Sequence, residues 1–502
     1  MPTRGCGLGR RSRITLLVGC IAAVSSLTWL GIGYQWSLSA TLVTSVQVPS
    51  LPWENPCSPN ETQSTGDRDV VDDELHSPVE DRLLPKMPQH PYGDLNHTTI
   101  PQGAHVHGYT VFDQLYMRNG TLYIVTDKPE TFPEIKKILS IPGKALHGVN
   151  LTPTEKEMVV IDPSRAKELL GSRFIRLKDL TVLLYDPDQF MHHYYHWWGE
   201  IILGLWRVYS KLGVREDGSL APLPFPARFM MPFVETESWR DRAKVDGPLM
   251  RATFPGISIE GASHWEDLIR LEATVIFERV MLVNRYAAHT HPFGGKWFKM
   301  MSGTMNVTVP DDFWRPLRDS LLSNILGYIP EPNDVSSEDS APPPLPVVTY
   351  VSRQGGGRSL VHKDHDVLIL ELMDLEDEGI CELYVAEMEK MSLREQIELA
   401  ARTTIMLGVH GNGLTHQLWM PPSPQSTVIE IMVPGGYVYD YEILARNMGH
   451  KHYAVWNDTY ITYPKGETHK GIKYPPGFHG TYTIPVHGPT VADIVRQRLT
   501  GQ

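Results

Sequence analysis

The chain has 502 residues, 41% of them apolar and 21% charged, and 46 Lys and Arg against 58 Asp and Glu give a net charge of −12. This excludes a chain disordered throughout, a collagen, a coiled coil and a multi-span membrane protein, and the lack of a basic excess argues against nucleic-acid binding. Forty Pro and 41 Gly beside 12 Trp, 21 Tyr and 13 Phe suit a loop-rich enzyme of two or three domains.

The first feature in chain order is an address. Residues 1–13 form a tail carrying Arg4, Arg10, Arg11 and Arg13, and residues 14–33 are an uncharged apolar run. About twenty such residues cross a hydrocarbon core, and the arginines favour the cytosolic side. We read a signal anchor in preference to a signal cleaved near Ala22, Ala23, Ser25 and Ser26. The expectation is a single-pass type II protein of the Golgi or ER membrane with a lumenal head. Asn60, Asn96, Asn119, Asn150, Asn306 and Asn457 each begin a glycosylation sequon, which fits that compartment. Cys57 and Cys381 are the two cysteines in the lumenal part, and their pairing stays open. Residues 34–105, proline-rich and acidic, read as a stem.

Two α/β lobes follow, 106–330 on the acceptor side and 347–502 on the nucleotide side, joined by a Pro- and Ser-rich linker at 331–346. In the first lobe Thr121–Thr126, Thr181–Tyr185, Arg228–Met231, Val275–Phe277 and Val280–Val283 read as strands, and Tyr194–Leu212 as a helix. In the second, strands at Val347–Ser352, Glu382–Val385, Thr404–Val409 and Val428–Met432 alternate with helical patterns. One of those helices opens on a Ser392–Glu395 capping box. Continuous apolar strands alternating with helices predict parallel, Rossmann-like sheets.

Four motifs carry candidate chemistry. The turn Gly408–His416 (GVHGNGLTH) joins a buried strand to a helix. His410, Gly411, Asn412, Gly413, Leu414 and Thr415 there could bring backbone amides against an anion. Arg353 and Arg358 flank three glycines just after the first strand of the second lobe, and arginine forks suit a diphosphate. Glu430 lies inside an apolar strand, where it could hold a ribose or form a structural ion pair. In the first lobe His192, His196 and Glu200 fall on one helical face. His196 with Glu200 could be a general base oriented by a carboxylate. Alternatively the three could bind zinc, as in a lumenal hydrolase. Asp186-Pro187-Asp188 imitates a metal-binding DxD, and His289, His291 and Lys296 are candidates for the cleft wall.

Taken together these motifs resemble glycosyltransferase family 61, in its β-1,2-xylosyltransferase and EGF-domain O-linked N-acetylglucosamine transferase group. The matching pieces are His193-Tyr194-Tyr195-His196-Trp197 followed by Glu200, then Tyr350-Val351-Ser352-Arg353, His410–His416 and Val428-Ile429-Glu430. This chain departs from the family pattern at His193, Asn412 and His416. The resemblance implies a GT-B arrangement of two Rossmann-like lobes facing a cleft. It also implies an inverting transfer of a sugar, xylose or N-acetylglucosamine, from a UDP-sugar to a hydroxyl of a glycan or glycoprotein. No metal cofactor is obligatory in that mechanism. The other classes consistent with the motifs are the zinc hydrolase and a non-catalytic lumenal glycan-binding protein.

Overall fold

The structure is a computed structural model, and it describes residues 95–144, 148–235, 237–330, 344–462 and 471–501. The tail, the apolar run, Asn60, Cys57, most of the stem and most of the linker lie outside the described residues. Among the described residues no helix is long and apolar enough to cross a membrane.

The first lobe begins earlier than expected, because residues 95–105 pack on it instead of continuing the stem. Buried Thr98 donates its amide to Val125 and its hydroxyl to the Gln114 carbonyl. The sheet comprises β1 (His105–Val106), β2 (Tyr109–Arg118), β3 (Thr121–Val125), β4 (Met158–Ile161), β5 (Phe174–Leu184), β6 (Arg228–Met230), β7 (Ser258–Glu260) and β8 (Thr274–Val283). The order is β4-β3-β2-β8-β5-β6-β7, with β1 beside β2. Strands β8, β5, β6 and β7 run parallel, but β2 is antiparallel to both β8 and β3. The parallel sheet expected from the sequence is therefore a mixed one. Asn119-Gly120 explains the difference: with φ of 50° and 84° it makes the tight turn that only an antiparallel hairpin can use.

The second lobe holds β9 (Val347–Val351), β10 (Arg358–Leu360), β11 (Glu382–Ala386), β12 (Thr403–Val409), β13 (Thr427–Ile431), β14 (Lys451–Trp456), β15 (Thr459–Thr462) and β16 (Tyr482–Ile484). Six strands form a sheet ordered β11-β9-β12-β13-β14-β15, parallel except at β15, while β10 and β16 pair separately. The chain winds outward from β9 to β11, then returns past β9 to β12. Adjacent strands whose connections diverge leave a crevice at their carboxyl ends, where α/β sheets bind ligands. One such crevice lies between β9 and β12. A second lies between β5 and β8 in the first lobe.

The lobes are not divided by an open cleft along their whole contact. One apolar core runs through Trp197, Trp198, Trp419 and Leu444, with Trp198 set edge-on to Trp419 at 5.2 Å. Gly199 permits the close approach of Leu444 to the helix, since a Cβ there would sit 3.0 Å from that side chain. The helix Arg315–Leu326 belongs by sequence to the first lobe, yet Trp314 and Arg318 donate to the carbonyls of Leu418 and Trp419 at 2.9 Å.

Candidate functional site

The helix expected over Tyr194–Leu212 opens as a π-helix, Tyr195–Ile202, and continues as an α-helix, Leu203–Ser210. π-Turns cluster at functional sites. The wider turn still stacks His196 over Glu200, and His196 Nδ1 lies 2.6 Å from Glu200 Oε2. The same oxygen receives Arg285 Nη1 at 2.7 Å, and Oε1 receives the Met300 amide at 3.3 Å. Burial pushes the Glu200 carboxyl up, but Arg285 and His196 outweigh it and hold the group well below the usual range. Glu200 is therefore a carboxylate, and His196 Nδ1 must be the donor to it. In the neutral ring that fixes the tautomer and places the lone pair on Nε2. The His196 side chain is 22% exposed while Glu200 is sealed at 1%.

Arg285 is held by the strand ends. Asp186, after β5, accepts from the Arg285 amide at 2.7 Å and from Asn284 Nδ2 at 3.1 Å, after β8. Burial raises the Asp186 pKa to about 7 against the pull of Arg285. Asp186 is thus a stitch across the β5–β8 crevice, and the DxD reading of Asp186–Asp188 is corrected. The zinc set is corrected too. His192 is exposed in the turn before the helix, and no group of three metal-ligating side chains is assembled among the described residues.

Across from this, Arg353 leaves the end of β9 and donates Nη1 to the His410 carbonyl at 2.8 Å. Gly411 makes that approach feasible, because a Cβ there would fall 1.8 Å from Nη1. Its backbone is extended, with φ of 160°, so close approach rather than a left-handed turn demands the glycine. A Cβ on Gly413 would likewise press on Val351 at 2.8 Å. Arg358, on β10, lies over Phe478 at 5.7 Å, and its Nη1 is buried with no partner among the described residues. Burial and then the nearby Arg353 lower its pKa from the usual arginine value. Two guanidinium groups in one neighbourhood, one of them unsatisfied, are suited to an oxyanion.

Other expected donor contacts change role. The turn enters a 3-10 helix, Asn412–Trp419, in which the Leu414 and Thr415 side chains are buried and the Leu414 amide donates to the Gly411 carbonyl at 3.0 Å. Glu430 is fully buried, one oxygen on His410 and the other on His452 at 2.8 Å. Burial raises its pKa, but the two histidine hydrogen bonds bring it down to about 2. The ribose reading of Glu430 is corrected: it is the buried anchor of His410, and His410 is the buried end of the turn. Asn412 turns to the other lobe, where Oδ1 accepts the Tyr195 amide at 3.1 Å. No side chain at Tyr194 caps the π-helix, so the second lobe caps the helix that carries His196.

Sequence reasoning missed the groups that complete this region. Arg285 had a signal, since it follows the Val280–Val283 strand at a crevice. Lys299 and Asp440 had none; they form a buried pair between the lobes at 2.9 Å, with Lys299 5.6 Å from the Tyr195 ring. Tyr441 stands between His410 and Tyr195, at 5.2 and 5.5 Å. Of the other expected wall residues, His289 is beside Phe298 at 5.5 Å and Lys296 is exposed. His291 lines a separate cavity of about 610 Å³ with His105, His107, Lys137 and Lys211. Among the described sequon residues, Asn119, Asn150, Asn306 and Asn457 are exposed and Asn96 is half-buried. Cys381 is buried, and burial raises its thiol pKa to about 11.

Residues 194–429 match the family described as glycosyltransferase 61. The matched span runs from the helix of His196 into β13, so it includes His196, Glu200, Arg285, Arg353, Arg358 and the Gly411–Gly413 turn, while Asp186, Glu430 and Asp440 lie just outside it. The EGF domain-specific O-linked N-acetylglucosamine transferase of Drosophila melanogaster is similar, 29% identical over 126 residues, covering 24% of this chain and 22% of that protein. The chain thus matches about a fifth of that relative's length. Over residues 194–429, a little under half of its length, the chain is similar to glycosyltransferase family 61.

Proposed function

We propose that this protein is an inverting, UDP-sugar-dependent glycosyltransferase with a GT-B plan, acting on a hydroxyl of a glycan or glycoprotein in the secretory pathway. The observation that carries this reading is the opposition of His196–Glu200–Arg285 at the β5–β8 crevice to Arg353 and Arg358 beside the β9–β12 crevice. The similarity to an N-acetylglucosamine transferase makes N-acetylglucosamine the first donor sugar to test and xylose the second. Golgi or ER placement rests on the apolar run at 14–33 and on the sequons.

In the proposed step the acceptor O–H gives its proton to His196 Nε2 while its oxygen bonds the anomeric carbon. The bond from that carbon to the β-phosphate oxygen breaks, and its electron pair leaves on UDP. Arg353 and Arg358 take up the charge growing on the diphosphate. The imidazolium formed at His196 is stabilised by the Glu200 carboxylate, which Arg285 keeps ionised. These steps use this chain's own groups and require no metal in the account.

The test is transfer from radiolabelled UDP-N-acetylglucosamine and UDP-xylose to a mixed glycopeptide pool by the full-length protein, beside H196A. Labelled product from the wild type, and its loss in H196A with thermal stability kept, is the expected result. Labelled product formed equally by both would remove His196 from the mechanism. Saturable glycopeptide binding without product or UDP binding would favour a glycan-binding protein.

A further inference from the structure

Phe190 lies between β5 and the base helix, and four of its properties do not follow from packing. Its backbone is left-handed, with φ of 61°, a conformation that is rare and costly for a bulky side chain. Its side chain remains 44% exposed. Its ring centroid is 5.0 Å from the ring of His196, the proposed base. The Arg285 guanidinium lies 5.4 Å from the same centroid. A lone exposed apolar residue needs no explanation. A strained one, propped by a buried arginine beside the base, does, because nothing in the core is gained by holding it there.

We propose that Phe190 is a stacking platform for the sugar ring of the acceptor, which makes the acceptor a glycan rather than a bare peptide hydroxyl. This deepens the transferase reading and rests on it for the identity of the base. A pyranose presents an apolar face of C–H groups with hydroxyls at its rim. Laying that face on a flat ring beside His196 would leave a rim hydroxyl free to reach Nε2. The cation–π contact from Arg285 fixes the ring, so little freedom is lost on binding. Arg285 then links two tasks, keeping Glu200 ionised and holding the platform. Strain is the expected cost of such a placement, because a relaxed backbone would turn the ring elsewhere.

Binding tests this without depending on turnover. The methyl glycosides of N-acetylglucosamine, galactose and mannose, and an unglycosylated serine peptide, would be titrated by calorimetry into the full-length protein saturated with UDP. The expected result is saturable binding of at least one glycoside, weakened roughly ten-fold by F190A and by F190L, the loss of a ring-sized apolar contact. F190W should restore it, and the serine peptide should be indifferent to all three changes. F190L keeps apolar volume without a flat ring, so wild-type affinity in F190L would overturn the proposal. So would glycoside binding unchanged in F190A, or no glycoside binding at all. F190G, which accepts the left-handed backbone freely, should melt at or above the wild type while binding as poorly as F190A. If UDP fails to bind, the donor reading fails, and the glycoside titration of the unliganded protein still decides the platform.

Discussion

Two buried glutamates organise the two lobes, and their difference shows what separates an open histidine from a closed one. Glu200 and Glu430 each hold a histidine at the carboxyl end of a sheet crevice, and each is ionised by its partners in spite of burial. Glu200 shares its charge with Arg285, which leaves His196 partly open with a bare nitrogen. Glu430 gives its second oxygen to another buried histidine, His452, so neither imidazole faces solvent. The motif is the same in chemistry; the second partner decides its use. An arginine partner stays protonated, so it fixes the carboxylate and frees the imidazole. A histidine partner closes the network.

That contrast can be broken by mutation. The largest effect is expected at His196. H196A should lower transfer about a hundred- to ten-thousand-fold with the melting midpoint nearly unchanged, measured as product formed per minute beside a thermal melt. Next, R353A should lower turnover about a hundred-fold through lost stabilisation of the leaving diphosphate, seen in both transfer rate and UDP affinity. Glu430 should show the opposite signature. E430A strands two buried histidines and should cost about 3 kcal/mol of stability or more, read as a fall in denaturant midpoint.

The pH dependence follows from the same residue. The Glu430 pKa is lowered from 4.5 to about 2 in the folded protein. Its stabilisation is therefore complete above pH 4.5 and lost as pH falls from there towards 2. Acid unfolding of E430Q should lack that part of the curve. The smallest effect belongs to Asn412. N412A removes one neutral hydrogen bond between the lobes, about 1 kcal/mol, and should lower turnover roughly five-fold while UDP binds as before. A fall in UDP affinity instead would return Asn412 to the donor site.

How much of this was legible in the sequence depended on range. Strands β9, β12 and β13 were legible because parallel strands buried on both faces read as unbroken apolar runs. His196 and Glu200 were legible because four residues along a helix bring side chains together, and the π-turn does not undo it. Glu430 stayed undecided in the sequence because the choice between ribose and ion pair lay with His452, 22 residues away on another strand. Arg285 pairs with Glu200 across 85 residues and Lys299 with Asp440 across 141, separations at which periodicity says nothing. The mixed order of the first sheet was concealed in two residues, Asn119 and Gly120, whose turn chemistry outweighs the Rossmann-like pattern around it.

The most direct test of the account is titration of UDP into the full-length protein and into R353A and H196A, with EDTA present throughout. The expected result is saturable binding to the wild type, at least ten-fold weaker binding to R353A, and unchanged binding to H196A, because Arg353 and His196 belong to opposite lobes. No binding to the wild type, or equal binding to R353A, would contradict it.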